Sequence, residues 1–132
     1  MKAVADRAQA MVEFALTMPL LFVLIGGALD AGRAMLASVS LTNAVRDGAR
    51  AGVVAYPSPT WMEQAADRTS QNLVGIDPAA LTVAVSSETG MDGTHVTVRA
   101  THAFRPLALL FFPDVFPILL SANGRALVGE MP

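Results

Sequence analysis

Apolar positions along this chain follow three rhythms, and each rhythm specifies a different element. From residue 14 to residue 29 the sequence Phe-Ala-Leu-Thr-Met-Pro-Leu-Leu-Phe-Val-Leu-Ile-Gly-Gly-Ala-Leu carries no charge. As a helix it covers about 24 Å at ~1.5 Å per residue. A hydrocarbon core is roughly 30 Å thick, so Met11, Val12 and Ala31 are needed to complete a span, with Glu13 satisfied or interfacial. Pro19 interrupts the run; it removes one helical hydrogen bond and bends the axis, a defect that membrane helices tolerate.

Past Leu29 the rhythm becomes amphipathic. Leu41, Val45, Ala49 and Val53 recur every four residues, while Arg33, Ser40, Asn43, Asp47 and Arg50 follow another side. This is the spacing of a helix with one buried face, and it extends the apolar helix to about Val53. Asp30 and Arg33, three apart, are placed to pair. Tyr56-Pro57-Ser58-Pro59 ends the helix, because a residue before proline avoids helical backbone. A second helix is expected over residues 60–73, with Thr60 as N-cap, Glu63 completing a capping box and Gly75 as the stop. Trp61, Ala65, Ala66, Thr69 and Leu73 mark its buried side.

The remainder alternates with period two, the mark of half-buried strands. Leu81, Val83 and Val85 alternate with Thr82, Ala84 and Ser86; Val96, Val98, Ala100 and Phe104 alternate with His95, Thr97, Arg99 and Thr101. Glu88-Thr89-Gly90-Met91-Asp92-Gly93 suits the connection between them, and a third strand is expected over 119–128. The segment 106–117 is too broken by proline to cross a bilayer; packing over the sheet is its expected fate, with a sticky surface for lipid or a partner as the alternative. The expected fold is α+β: one long transmembrane and amphipathic helix, one short helix and a three-stranded antiparallel sheet.

Composition sharpens this picture in two ways. The hydrophobic fraction of 53% and charged fraction of 15% depart from a soluble domain, where charge is near a quarter, and the excess lies in residues 11–29 and 106–120. A cleaved secretory signal, with Lys2 and Arg7 as its basic region, is the competing reading of the first run. Glu13 at its mouth and the helical pattern continuing beyond it favour a retained span. Net charge is −2, which offers no basic surface to nucleic acid.

Candidate chemistry is sparse. The chain has no cysteine, so disulfides, thiolate nucleophiles and cysteine metal sites are excluded. His95 and His102 fall on opposite faces of one strand, and no helical His pair exists, so no metal site is expected. Ser86 and Ser87 run into a turn without a nucleophile elbow. Arg46-Asp47-Gly48-Ala49-Arg50 lies mid-helix and lacks the lysine and hydroxyl of a phosphate loop. Neither catalytic residues nor a cofactor are expected, and an enzyme is the least supported class. Ala28-x-x-x-Gly32 and Gly48-x-x-x-Gly52 put small residues one turn apart, which permits close helix approach; for Gly48 and Gly52, outside lipid, docking against the sheet is the simpler reading. Trp61 is a core or interface anchor.

Taken together, Ala10-Met-Val-Glu-Phe-Ala-Leu-Thr-Met-Pro-Leu-Leu21, Gly26-Gly27, Gly32-Arg33 and Asn43-Ala-Val-Arg-Asp-Gly-Ala-Arg-Ala-Gly52 resemble the TadE-like family. These are pilin-related proteins of the bacterial tight-adherence (Tad) pilus machinery. The resemblance covers residues 7 to about 52 well and the C-terminal part weakly. It implies a leader, residues 1–8, removed on the cytoplasmic side by a prepilin peptidase. The cut would follow Ala8 and leave Gln9 as the new N-terminus, with Glu13 four residues beyond it. The family often has glycine before the cut where this chain has alanine, so a processed and an unprocessed chain both stand as alternatives.

The resemblance further implies residues 9–55 as a transmembrane and extended amphipathic helix, its apolar part in the inner membrane, and residues 56–132 as a small periplasmic α+β domain. It suggests a minor pilin or pseudopilin for assembly of a Tad-type (Flp) pilus, with adhesion and biofilm formation downstream. The implied partners are membrane lipid, other TadE/TadF-type pilins, the major pilin, the peptidase and the Tad secretion platform. Glu13 would set axial register by pairing with a neighbour's freed amine, and Pro19 would supply a flexible point. A membrane-anchored extracytoplasmic binding module that never enters a pilus is the rival from another class. Charge decides orientation weakly, since Lys2 and Arg7 before the span are matched by Arg33 and Arg46 after it.

Overall fold

The longest apolar rhythm folds as the longest element. The computed structural model describes residues 2–71, 73–107 and 117–129, with side chains from residue 6 on. Helix α1, Lys2–Ala55, runs for 54 residues and passes through Pro19 without ending; at ~1.5 Å per residue it is about 80 Å long. Its last turn closes through Tyr56 N–H donating to the Gly52 carbonyl at 3.0 Å and Ser58 N–H to Ala55 at 2.9 Å. A cis Tyr56–Pro57 bond follows.

Helix α2, Trp61–Gln71, packs on α1 and reaches the first strand. It is shorter than expected and is capped differently. Trp61 N–H donates to Ser58 at 3.2 Å, and the side-chain amide of Gln64, not Glu63, donates to Thr60 Oγ1 at 2.9 Å. The Ser58 turn already serves the first amide, and Gln64 sits a full helical turn from Thr60. After a 3-10 turn, Pro78–Ala80, come β1 (Leu81–Gly90), β2 (Gly93–Phe104) and β3 (Ile118–Val128), an antiparallel sheet in the order β1-β2-β3.

The hairpin between β1 and β2 is tighter than its turn-rich sequence suggests. Glu88 and Thr89 stay in the ladder opposite His95 and Thr94, leaving only Met91 and Asp92 between the paired Gly90 and Gly93. The Thr89 and Thr94 hydroxyls lie 3.1 Å apart. Gly93 has φ 120°, backbone that glycine adopts readily and other residues rarely.

The core lies between the C-terminal half of α1, α2 and one face of the sheet. Ala37, Leu41, Val45 and Ala49 of α1 meet Trp61 and Ala65 of α2 and Val96, Val98 and Ala100 of β2, all buried. Trp61 is a core residue, edge-on to Tyr56 at 5.6 Å between ring centroids. Ser40, assigned by pattern to the polar side of α1, is buried, and its hydroxyl accepts from Val74 N–H at 2.8 Å. It anchors the segment that follows α2, whose course the helical rhythm could not reveal. The expectation that 106–117 packs over the sheet falls mainly on 108–116, outside the described residues; Leu107 and Pro117, at its ends, are exposed.

Contacts along α1 orient the domain on the helix. Arg33 lies over Phe104 at the end of β2, Val45 abuts Gly124 at mid-sheet, and Gly52 abuts Val96 near the start of β2. Helix α1 therefore runs opposite to β2. The end of the sheet formed by Leu81, Phe104 and Ile118 faces the apolar half of α1, and the Met91-Asp92 turn faces away from it.

Candidate assembly surface

The exposed N-terminal half of α1 is the most unusual surface of the molecule. Phe14, Leu16, Leu20, Leu21, Phe22, Val23, Leu24, Ile25 and Leu29 are all exposed, and no part of this most apolar window is covered by the rest of the chain. Among the described residues α1 is the one helix long and apolar enough to cross a membrane. Nine large apolar side chains directed outward all round one helix have no stable home in water, whereas lipid accepts them without further partners. This helix is long and apolar enough to cross a membrane once, consistent with a single-pass membrane protein, and the folded domain lies C-terminal to it.

Glu13 stands at the mouth of this surface. Its backbone carbonyl accepts from the Thr17 hydroxyl at 2.7 Å, in the turn before Pro19, which has no N–H to offer Ala15. The carboxylate itself is exposed. Ala8 and Gln9 are exposed on the same helix, one to two turns earlier, so the residues bracketing the implied cut and Glu13 share one continuous rod. At the other end of the apolar stretch Asp30 is buried and accepts from Arg33 Nη1 at 2.8 Å, while the Arg33 guanidinium lies 5.3 Å from the Phe104 ring centroid. This charge pair is where the first side chains of the domain meet the helix.

The two small-residue pairs separate sharply. A side chain at Gly32 would meet nothing within 4 Å, and Ala28 is exposed; neither contributes to the fold of the single chain. Gly48 and Gly52 are buried. A β-carbon at Gly48 would collide with the Thr69 hydroxyl and come within 2.8 Å of the Ala65 carbonyl oxygen; at Gly52 it would lie 2.8 Å from Val96 Cγ1 and 3.1 Å from Ala65 Cβ. The partners are α2 and β2 together, not the sheet alone. Arg46 and Arg50 flank this seam on the exposed side, so the Arg-Asp-Gly-Ala-Arg motif combines a packing face and a solvated face.

A third close approach went unread in the sequence. Gly124, in the middle of β3, leaves room for the backbone of Val45 and Arg46; a β-carbon there would lie 2.9 Å from Arg46 N and overlap the Val45 carbonyl. An isolated glycine inside a strand pattern was the available signal. The histidines fall on opposite faces, as their spacing implies. His95 bonds Asp92 at 2.9 Å in the distal hairpin, and His102 is buried among core positions with Nδ1 unpartnered. The hydrogen bond from His95, followed by the Asp92 backbone amide, holds the Asp92 carboxyl below the usual value of 3.8. Among the described residues no three His, Asp or Glu side chains converge as a metal site.

Residues 8–50 match the family model described as TadE-like protein. The match begins at Ala8 and ends at Arg50, wholly inside α1; the sheet and α2 lie beyond it. No curated protein and no solved structure matches the chain significantly. Over residues 8–50, about a third of its length, the chain is thus similar to the TadE-like family, and the likeness is confined to helix α1.

Proposed function

We propose that this protein is a minor pilin or pseudopilin that serves assembly of a Tad-type pilus, with cell adhesion and biofilm formation as the downstream outcome. The observation that carries this reading is a fully exposed apolar rod with one carboxylate at its mouth, joined rigidly to a small domain. The rod stores the subunit in the inner membrane. In an assembly it exchanges lipid for the rods of neighbouring subunits, at little change in apolar burial. Close packing and interhelical polar contacts then decide association, which gives Ala28 and Gly32 their role.

Glu13 supplies the polar contact. An acid at the edge of hydrocarbon is costly unless partnered. Removal of residues 1–8 by a prepilin peptidase would create a free amine at Gln9, and the amine of a neighbouring subunit would pair with Glu13 and fix axial register. Pro19 gives the helix a point of adjustment between bilayer and filament. The domain, on the periplasmic side, selects TadE/TadF-type pilins, the major pilin and the secretion platform. No catalytic step is assigned to the chain.

Glu13→Ala tests the assignment. The variant is expected to fractionate with membranes as wild type does and to reduce surface pili severalfold; normal piliation would remove Glu13 from the mechanism. Sheared pili containing the protein would separate incorporation from the rival reading of a membrane-anchored binding module. Intact mass of membrane-extracted protein would show whether residues 1–8 are lost.

A further inference from the structure

We infer that the membrane-facing end of the domain holds a phospholipid headgroup, with Arg33 and Arg105 on its phosphate. A cleft of about 540 Å3 opens there, lined by Arg33, Asp77, His102, Phe104 and Arg105 among others. Sites for small ligands have volumes in this range.

Position comes first. Arg33 lies four residues beyond Leu29, the last exposed apolar residue of the span, which is about 6 Å along the helix. The headgroup layer on each side of a bilayer is roughly 5–8 Å deep. Because α1 runs opposite to β2, the same level contains the end of β2 and the start of β3. Leu107, Ile118 and Leu119 are exposed there, and Met35 and Leu36 are exposed on the helix beside them. An exposed apolar rim continuous with the apolar part of α1 fits the boundary between acyl chains and headgroups.

Charge and hydrogen bonding then specify the ligand. Arg33, Arg105 and Asp77 line the cleft; with Arg33 already paired to Asp30, Arg105 is the cation left for the single negative charge of a phosphodiester. Asp30 offsets part of the Arg33 charge, and Asp77 Oδ1 is engaged by Ala79 N–H at 3.0 Å as the cap of the 3-10 turn. Arg105 is exposed and makes no ion pair among the described residues. His102 is 95% buried by its 5% exposure and lines the cleft, yet its Nδ1 has no hydrogen-bond partner among the described residues. A buried imidazole nitrogen without a partner is costly, and a headgroup oxygen or hydroxyl would satisfy it. The Arg33 guanidinium lies over the Phe104 ring at 5.3 Å, and its planar fork of N–H groups is the geometry suited to phosphate oxygens.

The inference rests on α1 crossing the bilayer but not on pilus assembly. Full-length protein in mild detergent micelles, supplied with phosphatidylglycerol, would be released into native mass spectrometry to count retained lipid. Flotation of the same samples with vesicles reports on the span separately. Wild type is expected to retain one phosphatidylglycerol, and Arg105→Gln to weaken retention about fivefold, the effect of one arginine near an anionic headgroup. Arg33→Lys, which keeps the charge but loses the planar guanidinium, should also lose lipid, with Trp61 fluorescence unchanged in both variants. Wild-type retention by Arg105→Gln would overturn the proposal. So would equal retention of diacylglycerol, which has the tails without phosphate, or displacement of the lipid by inorganic phosphate at equal concentration.

Discussion

The two halves of α1 both carry apolar side chains and meet opposite fates. In residues 14–29 the large side chains Phe, Leu, Ile and Val point outward on every side and none is covered by protein. From residue 37 on the buried positions are Ala37, Ser40, Leu41, Ala44, Val45, Gly48, Ala49 and Gly52, mostly small, set on one stripe toward α2 and the sheet. The first half is shaped for a solvent that requires no fit. The second is shaped for backbone-level contact with its own domain, where a single methyl group matters. One unbroken helix thus joins the apolar rod to the folded head.

Core truncation is the strongest way to break this comparison. Leu41→Ala should destabilise the domain by about 2–5 kcal/mol, whereas Leu24→Ala, equally apolar but exposed, should leave it within about 0.5 kcal/mol. Denaturant unfolding in detergent checks both, read through Trp61, the single tryptophan, which sits in the core. Equal effects at the two sites would mean that the halves are not distinct.

Gly124→Ala tests the backbone contact with a smaller perturbation. The added methyl must displace Val45 and Arg46 backbone, not a flexible side-chain tip, so a loss of about 1–3 kcal/mol is expected. Gly32→Ala, where nothing is within 4 Å, should not change the monomer and should act only on helix association. An indifferent Gly124→Ala would place β3 farther from α1 than described.

The smallest effect is acid-dependent and confined to the distal hairpin. Because the folded-state pKa of Asp92 is depressed, its contribution is present above 3.8 and is lost as pH falls through the lower folded value. The carboxylate is exposed, so the effect is screened and small. Wild type should therefore lose slightly more stability than Asp92→Asn between pH 5 and pH 3, and added salt should narrow the gap.

How much of this was legible without coordinates follows from the range of each force. Leu41, Val45 and Ala49 announced a buried stripe because the helical period is local, and alternation at Leu81–Val85 and Val96–Val98 announced the sheet for the same reason. Pairing to the tip of the hairpin was missed because Glu88 and Thr89 look like turn residues locally but are held by partners across the strand. Ser40 was misread as solvated because its partner, Val74 N–H, lies 34 residues away. The Glu13 motif and the apolar rod were plain in sequence, since both are contiguous. The cleft at Arg33, Asp77, His102 and Arg105 was not, because three separate segments meet there only after the sheet docks on α1.

The absence of cysteine in the natural chain makes the central claim directly measurable by a single-cysteine scan of α1 in reconstituted vesicles. Residues 14–29 are expected to resist a membrane-impermeant maleimide at every position, and residues 37–53 to label with a four-residue rhythm that follows the exposed side. Ready labelling of Leu20, Phe22 and Ile25 by the aqueous reagent would contradict the account, because the rod would then lie in water.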